Sequence, residues 1–407
     1  MTLGGLAGKV VELSREALSV VREYTHLTPL SPSATLSRMS GARVYLKYEN
    51  LQKTGSFKVR GALYKVFKVR GRASGVVAAS AGNHAQGVAY AASIMGMPSV
   101  IVMPEYTSIS QVEATKSYGA EVVLYGRVYD DAYVKALEIA ESRGFEFVHA
   151  FDDMDVIAGQ ATLGLDIVEQ LQDFDLIFVP IGGGGLISGV ASIVKARNPG
   201  VKVIGVEPEA APKMLYSLKA GKPISIEPRY SIAEGLVTKK PGDITFQITS
   251  ELVDDIVTVS EEELSEAIYL LLERKKTLVE GAGAASVAAL LSGRVNVEDK
   301  KAVAILSGGN IDMTVISKVI IKGLSKARRV VRITGYVLDR PGQLKRVLEV
   351  IASHRGNVLD VQHDWSDPKI PAWHAKVTIL FETPSIQATN NILEDLLREG
   401  YEFSLEV

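Results

Sequence analysis

No cysteine occurs among the 407 residues. Disulfides, thiolate catalysis and zinc–cysteine sites are therefore excluded, and a reducing compartment is the natural expectation. Long charge-free apolar runs are also missing, so no segment reads as a membrane span. Met1 to Arg22 carries Lys9, Glu12, Arg15, Glu16 and Arg22 at intervals, which suits an amphipathic helix rather than a signal peptide. Neither sign of charge dominates. The 45 Lys and Arg against 47 Asp and Glu leave a net charge of −2, which argues against a nucleic-acid or polybasic membrane role. No long low-complexity segment breaks the chain. The length is too great for one ordinary core, so two or three domains are expected, in a cytoplasmic protein.

What is present is a βαβα rhythm. Short continuous apolar runs lie at Val76–Ala79, Val100–Met103, Val122–Leu124, Leu176–Val179, Val203–Val206 and Ala302–Leu306. Continuous rather than alternating runs suit parallel strands buried on both faces. Helical patterns fill the gaps, among them Gln86–Met95, Ser110–Ser117, Asp130–Ser142 and Glu261–Lys276. The result is a layered α/β architecture.

Past Gly323 the pattern changes. Gly323 to Arg329 is short and basic and reads as a linker. Val331, Ile333 and Val337 then alternate. The turn Asp339-Arg340-Pro341-Gly342 opens a helix with Leu344, Val347, Leu348 and Ile351 on one face. Leu359, Val361 and His363 alternate next, followed by Trp373, Ala375, Val377, Ile379 and Phe381. A second helix carries Leu393, Leu396 and Leu397, and Tyr401, Phe403, Leu405 and Val407 close the chain. This order is βαββαβ, the ferredoxin-like arrangement.

Four segments carry chemistry. Lys58, in Gly55-Ser56-Phe57-Lys58-Val59-Arg60-Gly61, supplies an amine able to join a carbonyl cofactor and later to act as a base. Ser80-Ala81-Gly82-Asn83-His84 sits between a strand and a helix, where main-chain amides offer a carboxylate site. A plain helix cap by Ser80 or Asn83 is the simpler reading of this segment. His84 reads as a histidine satisfied by a hydrogen bond. Gly182-Gly183-Gly184-Gly185-Leu186 also links a strand to a helix, and its natural guest is a phosphate. Its spacing is not that of a dinucleotide fingerprint. Ser307 ends a buried strand, and its neutral hydroxyl suits a pyridine nitrogen. An amine, two anion cradles and a ring partner make up the set that holds pyridoxal phosphate.

In this order the motifs resemble those of the fold type II pyridoxal-phosphate enzymes, the tryptophan synthase beta-like group, and most closely the threonine dehydratases (threonine ammonia-lyases). The likeness runs from about Leu27 to Gly323. It includes Glu49-Asn50-Leu51-Gln52, Ala158-Gly159-Gln160 and Glu280-Gly281-Ala282-Gly283. It implies a catalytic domain over 1–323, with about 52–155 forming a smaller subdomain inserted in the larger, a linker at 324–329, and an ACT-like regulatory domain over 330–407. It further implies that Lys58 carries the cofactor and Phe57 packs near it. Asn83 bonds the ring hydroxyl, Gly182 to Leu186 hold the phosphate, Ser307 faces the ring nitrogen, and Glu280 lies close to the ring. Ser80, Ala81, Gly82 and Asn83 grip the substrate carboxylate. Asp339, Pro341, Gly342, Gln343 and Leu344 form the usual ligand loop of an ACT domain.

The implied reaction is deamination of L-threonine to 2-oxobutanoate and ammonia, with L-serine giving pyruvate more weakly. Serine racemase or a serine dehydratase is the alternative within the enzymes. A non-catalytic amino-acid sensor is the alternative outside them. Racemase relatives carry a serine where this chain has Ala81, and a methyl cannot donate a proton. They also bind a divalent cation through an acidic side chain soon after Glu207-Pro208. Lys213 stands there in this chain, so the only metal expectation is a monovalent cation near Glu207. Isoleucine or valine is the expected effector and a homodimer or homotetramer the expected assembly.

Overall fold

In the computed structural model, residues 3–366 and 368–406 are described. They divide into two units, Met1–Asp312 and Met313–Val407.

The first unit holds two sheets. Four parallel strands form the smaller one, in the order Glu121–Leu124, Ser99–Met103, Val76–Ala79, Glu146–Phe147. The larger has six, in the order Leu30–Pro32, Arg43–Tyr48, Lys301–Leu306, Leu176–Pro180, Lys202–Pro208, Asp255–Val259. All its pairs are parallel except the first. Val76–Ala79 and Leu176–Pro180 are buried along their whole length, as parallel strands covered on both faces must be. The helix Gly5–Tyr24 joins the two layers. Its inward residues recur at helical spacing. Ala7 and Val10 enter the core of the larger sheet, while Ala17, Val20 and Val21 enter that of the smaller.

Three strands lead directly into the segments that carry chemistry. Val76–Ala79 runs into Ser80, Leu176–Pro180 into Gly182, and Lys301–Leu306 into Ser307. Carboxyl ends of strands are where open α/β sheets bind ligands.

The second unit contains the expected βαββαβ order. Its strands Val330–Leu338, Asn357–Asp364, His374–Glu382 and Phe403–Leu405 form an antiparallel sheet ordered second, third, first, fourth. Helices Gln343–Ser353 and Ile386–Arg398 bury Val347, Val350, Ile351, Ile392 and Leu396 in its core. Four expectations fail in detail. The helix Met313–Lys326 takes in Leu324 to Lys326, so the linker reading does not hold for them. A bulge between Val358 and Asp360 leaves Leu359 exposed, so Val358 and Val361 face the core. Trp373 precedes its strand in a left-handed conformation, φ 68°, and is 76% exposed. Leu397 is 61% exposed, and Ile392 takes the inward place. Val407 lies outside the described residues.

Candidate active site

Lys58 opens the helix Lys58–Val69. Two features fix that helix. Arg60, in its first turn, is fully buried and grips Glu49 with two bonds of 2.7 and 2.9 Å and Asp166 with one of 2.8 Å. The fork of the guanidinium matches the carboxylate, which sets the orientation of the helix as well as its position. Gly61 and Gly159 then let this helix and Met154–Gln170 approach closely, since a Cβ on either would meet the backbone or side chain of the other.

From this base the Lys58 amine projects into the site. Its Nζ donates to the carbonyl of Ala150 at 2.8 Å and stands 5.5 Å from the centre of the Phe57 ring. Burial pulls its pKa down to about 8, and the charge of Glu280 opposes the shift. The positive end of its own helix also disfavours the ammonium form. A lysine so placed is a usable nucleophile and base.

Backbone contacts tie this segment to the end of the strand Lys301–Leu306. Phe57 N donates to Ser307 O at 3.1 Å, and Gly309 N donates to Gly55 O at 2.9 Å. Ser307 is buried, and its hydroxyl donates to Ala282 O at 3.2 Å. Asn83 is clamped from both sides. Its Nδ2 donates to Glu280 Oε1 at 2.6 Å, and its Oδ1 accepts from Asn310 Nδ2 at 2.7 Å. Burial raises the Glu280 carboxyl to about 7, Asn83 works against this, and Glu234 adds to it. Lys58, Phe57, Asn83, Glu280 and Ser307 are thus brought into one neighbourhood.

The two turns show what they lack. The helix Asn83–Met95 has Gly82 at its N-cap and no side-chain cap, because Asn83 is engaged elsewhere and Ser80 Oγ accepts from Gly82 N at 3.2 Å. The simple capping reading therefore fails. Among the described residues, the amides of Ala81, Asn83, His84 and Ala85 donate to no protein acceptor. The same is true of every amide from Gly182 to Ile187, ahead of and within the first turn of the helix Gly185–Arg197. Gly183 to Ile187 are buried. Buried unpaired amides are costly, and an anion would satisfy them. Glycine is needed there for packing too. A Cβ on Gly183 would enter the Phe151 ring, and Gly184 has φ 102°. The residues present therefore fit a phosphate at one turn and a carboxylate at the other.

Several participants were not read from the sequence. Ala150 accepts from Lys58, and Phe151 packs on the glycine turn. Asp152 accepts from the amides of Asp243, Ile244 and Thr245 at 2.9 to 3.1 Å, which fixes the segment beside that turn. His149 Nδ1 accepts from the amides of Phe151 and Asp152. The run His149 to Asp153 carries no composition signal, and only its tertiary contacts reveal it. Asn310, three residues past Ser307, donates to Asn83 Oδ1. His84 behaves as expected. Its Nε2 meets Val148 O at 2.8 Å, and burial lowers its pKa to about 3, so it is neutral.

Near Glu207, where a monovalent cation was the expectation, the structure places a side-chain ammonium. The ammonium of Lys213 lies 3.0 Å from Glu207 Oε1, and both side chains are fully buried. No cluster of three or more His, Asp or Glu suited to a metal occurs among the described residues.

In the second unit, Asp339 to Gly342 is exposed, Gly342 has φ 92°, and Gln343 accepts from Tyr401 Oη at 2.8 Å. Pro341 and Leu344 flank that turn. A separate cavity of about 490 Å³ is lined by Ile321, Val331, Leu380, Ile386 and Leu405, and the loop does not reach it.

A family profile described as pyridoxal-phosphate dependent enzyme matches residues 21–308. The chain belongs to this family. An L-threonine ammonia-lyase of Thermotoga maritima is 47% identical over 95% of this chain and 97% of its own length. An L-threonine ammonia-lyase of Geobacter sulfurreducens is 45% identical over 96% of this chain and 97% of its own length. A solved threonine deaminase from T.th. has a TM-score of 0.71 and 43% identity, covering 74% of this chain and 99% of its own. The maize serine racemase structure has a TM-score of 0.73 and 35% identity, covering 78% of this chain and 98% of its own. As a pyridoxal-phosphate enzyme the chain has its cofactor and its fold type II architecture defined. No helix among the described residues is long and apolar enough to cross a membrane.

Proposed function

We propose that the protein is a threonine ammonia-lyase, converting L-threonine to 2-oxobutanoate and ammonia, with L-serine as a slower substrate. The carrying observation is the poorly compensated Lys58 amine beside two strand-to-helix turns with unpaired amides. The whole-length likeness to an L-threonine ammonia-lyase supports the choice of substrate.

When bound, pyridoxal phosphate supplies an electron sink that makes the α-proton of an attached amino acid acidic. Lys58 would hold the cofactor through Nζ, and the same nitrogen would accept that α-proton. With a pKa of about 8 it is unprotonated often enough to do so near neutrality. The amides of Gly182 to Leu186 would hold the phosphate, and the free amides of Ala81 and Asn83 in the Ser80–Asn83 turn would hold the substrate carboxylate. Asn83, fixed by Glu280 and Asn310, would present its amide to the ring hydroxyl, and Phe57 would border the ring. Ser307, a neutral hydroxyl rather than a carboxylate, would face the ring nitrogen, which suits elimination of the β-hydroxyl.

Serine racemisation is the second reading, favoured by the likeness to the maize racemase. It needs a proton donor on each face of the α-carbon, and Ala81 offers only a methyl. We read the ferredoxin-like unit as an ACT-type module that binds isoleucine or valine at Asp339 to Leu344 and pairs with another copy in a homo-oligomer. Steady-state turnover of L-threonine and L-serine, with and without isoleucine and valine, tests these readings together. Oxo-acid formation faster from threonine than from serine is expected, together with a changed rate on adding isoleucine. Accumulation of D-serine without oxo acid would overturn the assignment.

A further inference from the structure

Lys213 is fully buried, yet its ammonium is not merely paired. Nζ lies 2.9 Å from Ile181 O, 2.9 Å from Leu236 O, 3.3 Å from Ala211 O and 3.0 Å from Glu207 Oε1. Three N–H groups therefore serve four oxygens. Glu207 is itself positioned, accepting from the amides of Met214 at 3.0 Å and Leu215 at 2.9 Å. Three carbonyls and one carboxylate converging on a point is the shell a small cation would take. The oxygens come from separate segments, so whatever sits at their centre holds those segments together.

One of these oxygens matters for the phosphate turn. Ile181 O and Gly182 N belong to the same peptide group. In a trans peptide the C=O and N–H point in opposite directions. Drawing Ile181 O onto Lys213 therefore turns the Gly182 N–H away from Lys213 and polarises it. Gly182 begins the run of amides that donate to no protein acceptor. Its other flank is closed by Gly235 O, from the same loop that supplies Leu236 O. Met214, next in the chain, packs against Gly184. The ammonium thus ties the start of the turn through Ile181 O and the neighbouring loop through Leu236 O.

We infer that Lys213 is a tethered cation: its ammonium does the work of a bound metal ion, aligns the Gly182–Leu186 turn for the cofactor phosphate, and makes the enzyme independent of added cations. Lys213 is a positioning residue in this scheme. The inference rests on the cofactor, not on threonine as substrate, and its readouts are cofactor retention and melting temperature.

The test compares full-length holoenzyme with Lys213→Ala and with the double variant Lys213→Met/Glu207→Gln. Wild type should show the same cofactor dissociation constant, within about twofold, in tetramethylammonium, sodium and potassium buffers. Lys213→Ala should hold the cofactor about tenfold or more weakly in tetramethylammonium, and n-butylammonium or potassium should restore both affinity and melting temperature. The double variant removes both charges and leaves no buried carboxylate unpaired. It should fold with a lower melting temperature than wild type, because three buried carbonyls lose their donor, and still bind the cofactor weakly, because the Ile181 carbonyl has lost its partner. Potassium activation of the wild type would overturn the inference. So would a double variant that binds the cofactor as tightly as wild type, since Lys213 would then only neutralise Glu207. If Lys213→Ala does not fold, the double variant decides the question.

Discussion

Lys58 has one acceptor at hydrogen-bond distance and no carboxylate in contact among the described residues, whereas Lys213 has three carbonyls and a carboxylate around it. Both stand at the start of a helix, and burial lowers the pKa of both. In Lys213 the Glu207 carboxylate opposes the shift at close range, through charge and a hydrogen bond. In Lys58 the opposing charge is that of Glu280, which is occupied by Asn83. The difference shows how one residue type becomes reactive or structural. An ammonium left short of oxygen ligands gives up its proton and can act as a nucleophile. One whose oxygen partners are complete is held in place by them and serves the structure.

The largest effect is expected from removing the reactive lysine. Lys58→Ala should lower threonine turnover by about 10³-fold or more while leaving the melting curve nearly unchanged. Retained activity would show that another base serves. A subtler measurement compares both lysines in one sample. Competitive acetylation of the cofactor-free protein, read by mass spectrometry, should show Lys58 labelling rise with pH and level off above about 8. Lys213 should stay unlabelled until the protein unfolds globally. The folded pKa of Lys58 lies below its unfolded value of 10.5, so the native state binds fewer protons between about 8 and 10.5. Stability of the cofactor-free protein should therefore rise with pH across that window, with the burial cost present in full below it. The smallest effect is expected at Glu280. Glu280→Gln keeps an acceptor for Asn83 and removes the titration near 7. Turnover should fall by less than about tenfold, and an inflection near pH 7 in kcat/KM should disappear. An unchanged profile would mean that Glu280 does not titrate in the working enzyme.

The parts of the fold that could be read in advance share one property: a local pattern matched the global structure. Val76–Ala79 and Leu176–Pro180 are apolar because both faces are covered. The strands that escaped notice break that link. Arg43–Tyr48 pairs with Lys301–Leu306 inside the larger sheet but carries a charged residue at its buried end. Lys47 is fully buried there because Thr28 O and Gln170 Oε1 accept from it at 2.8 Å each. No periodicity reveals such partners. Glu146–Phe147 is too short to show a pattern at all. Leu359 misled because a bulge shifts the phase of alternation by one residue.

At the site the division is similar. Lys58, the Ser80 to Asn83 turn, the four glycines and Ser307 were visible as residue types placed after strands. The roles of Ala150, Phe151 and Asn310 were not, because each acts through a contact with a distant segment.

The order of residues by itself determined the two kinds of unit, the strand-to-helix turns with glycine where amides must be free, and the lysine chemistry on offer. Tertiary structure decided which lysine became reactive. Sequence places Lys58 after an aromatic ring and Lys213 after a proline, and neither neighbour fixes a charge state. That depends on how many oxygens the folded chain brings to each nitrogen: one carbonyl at Lys58, and a complete shell at Lys213.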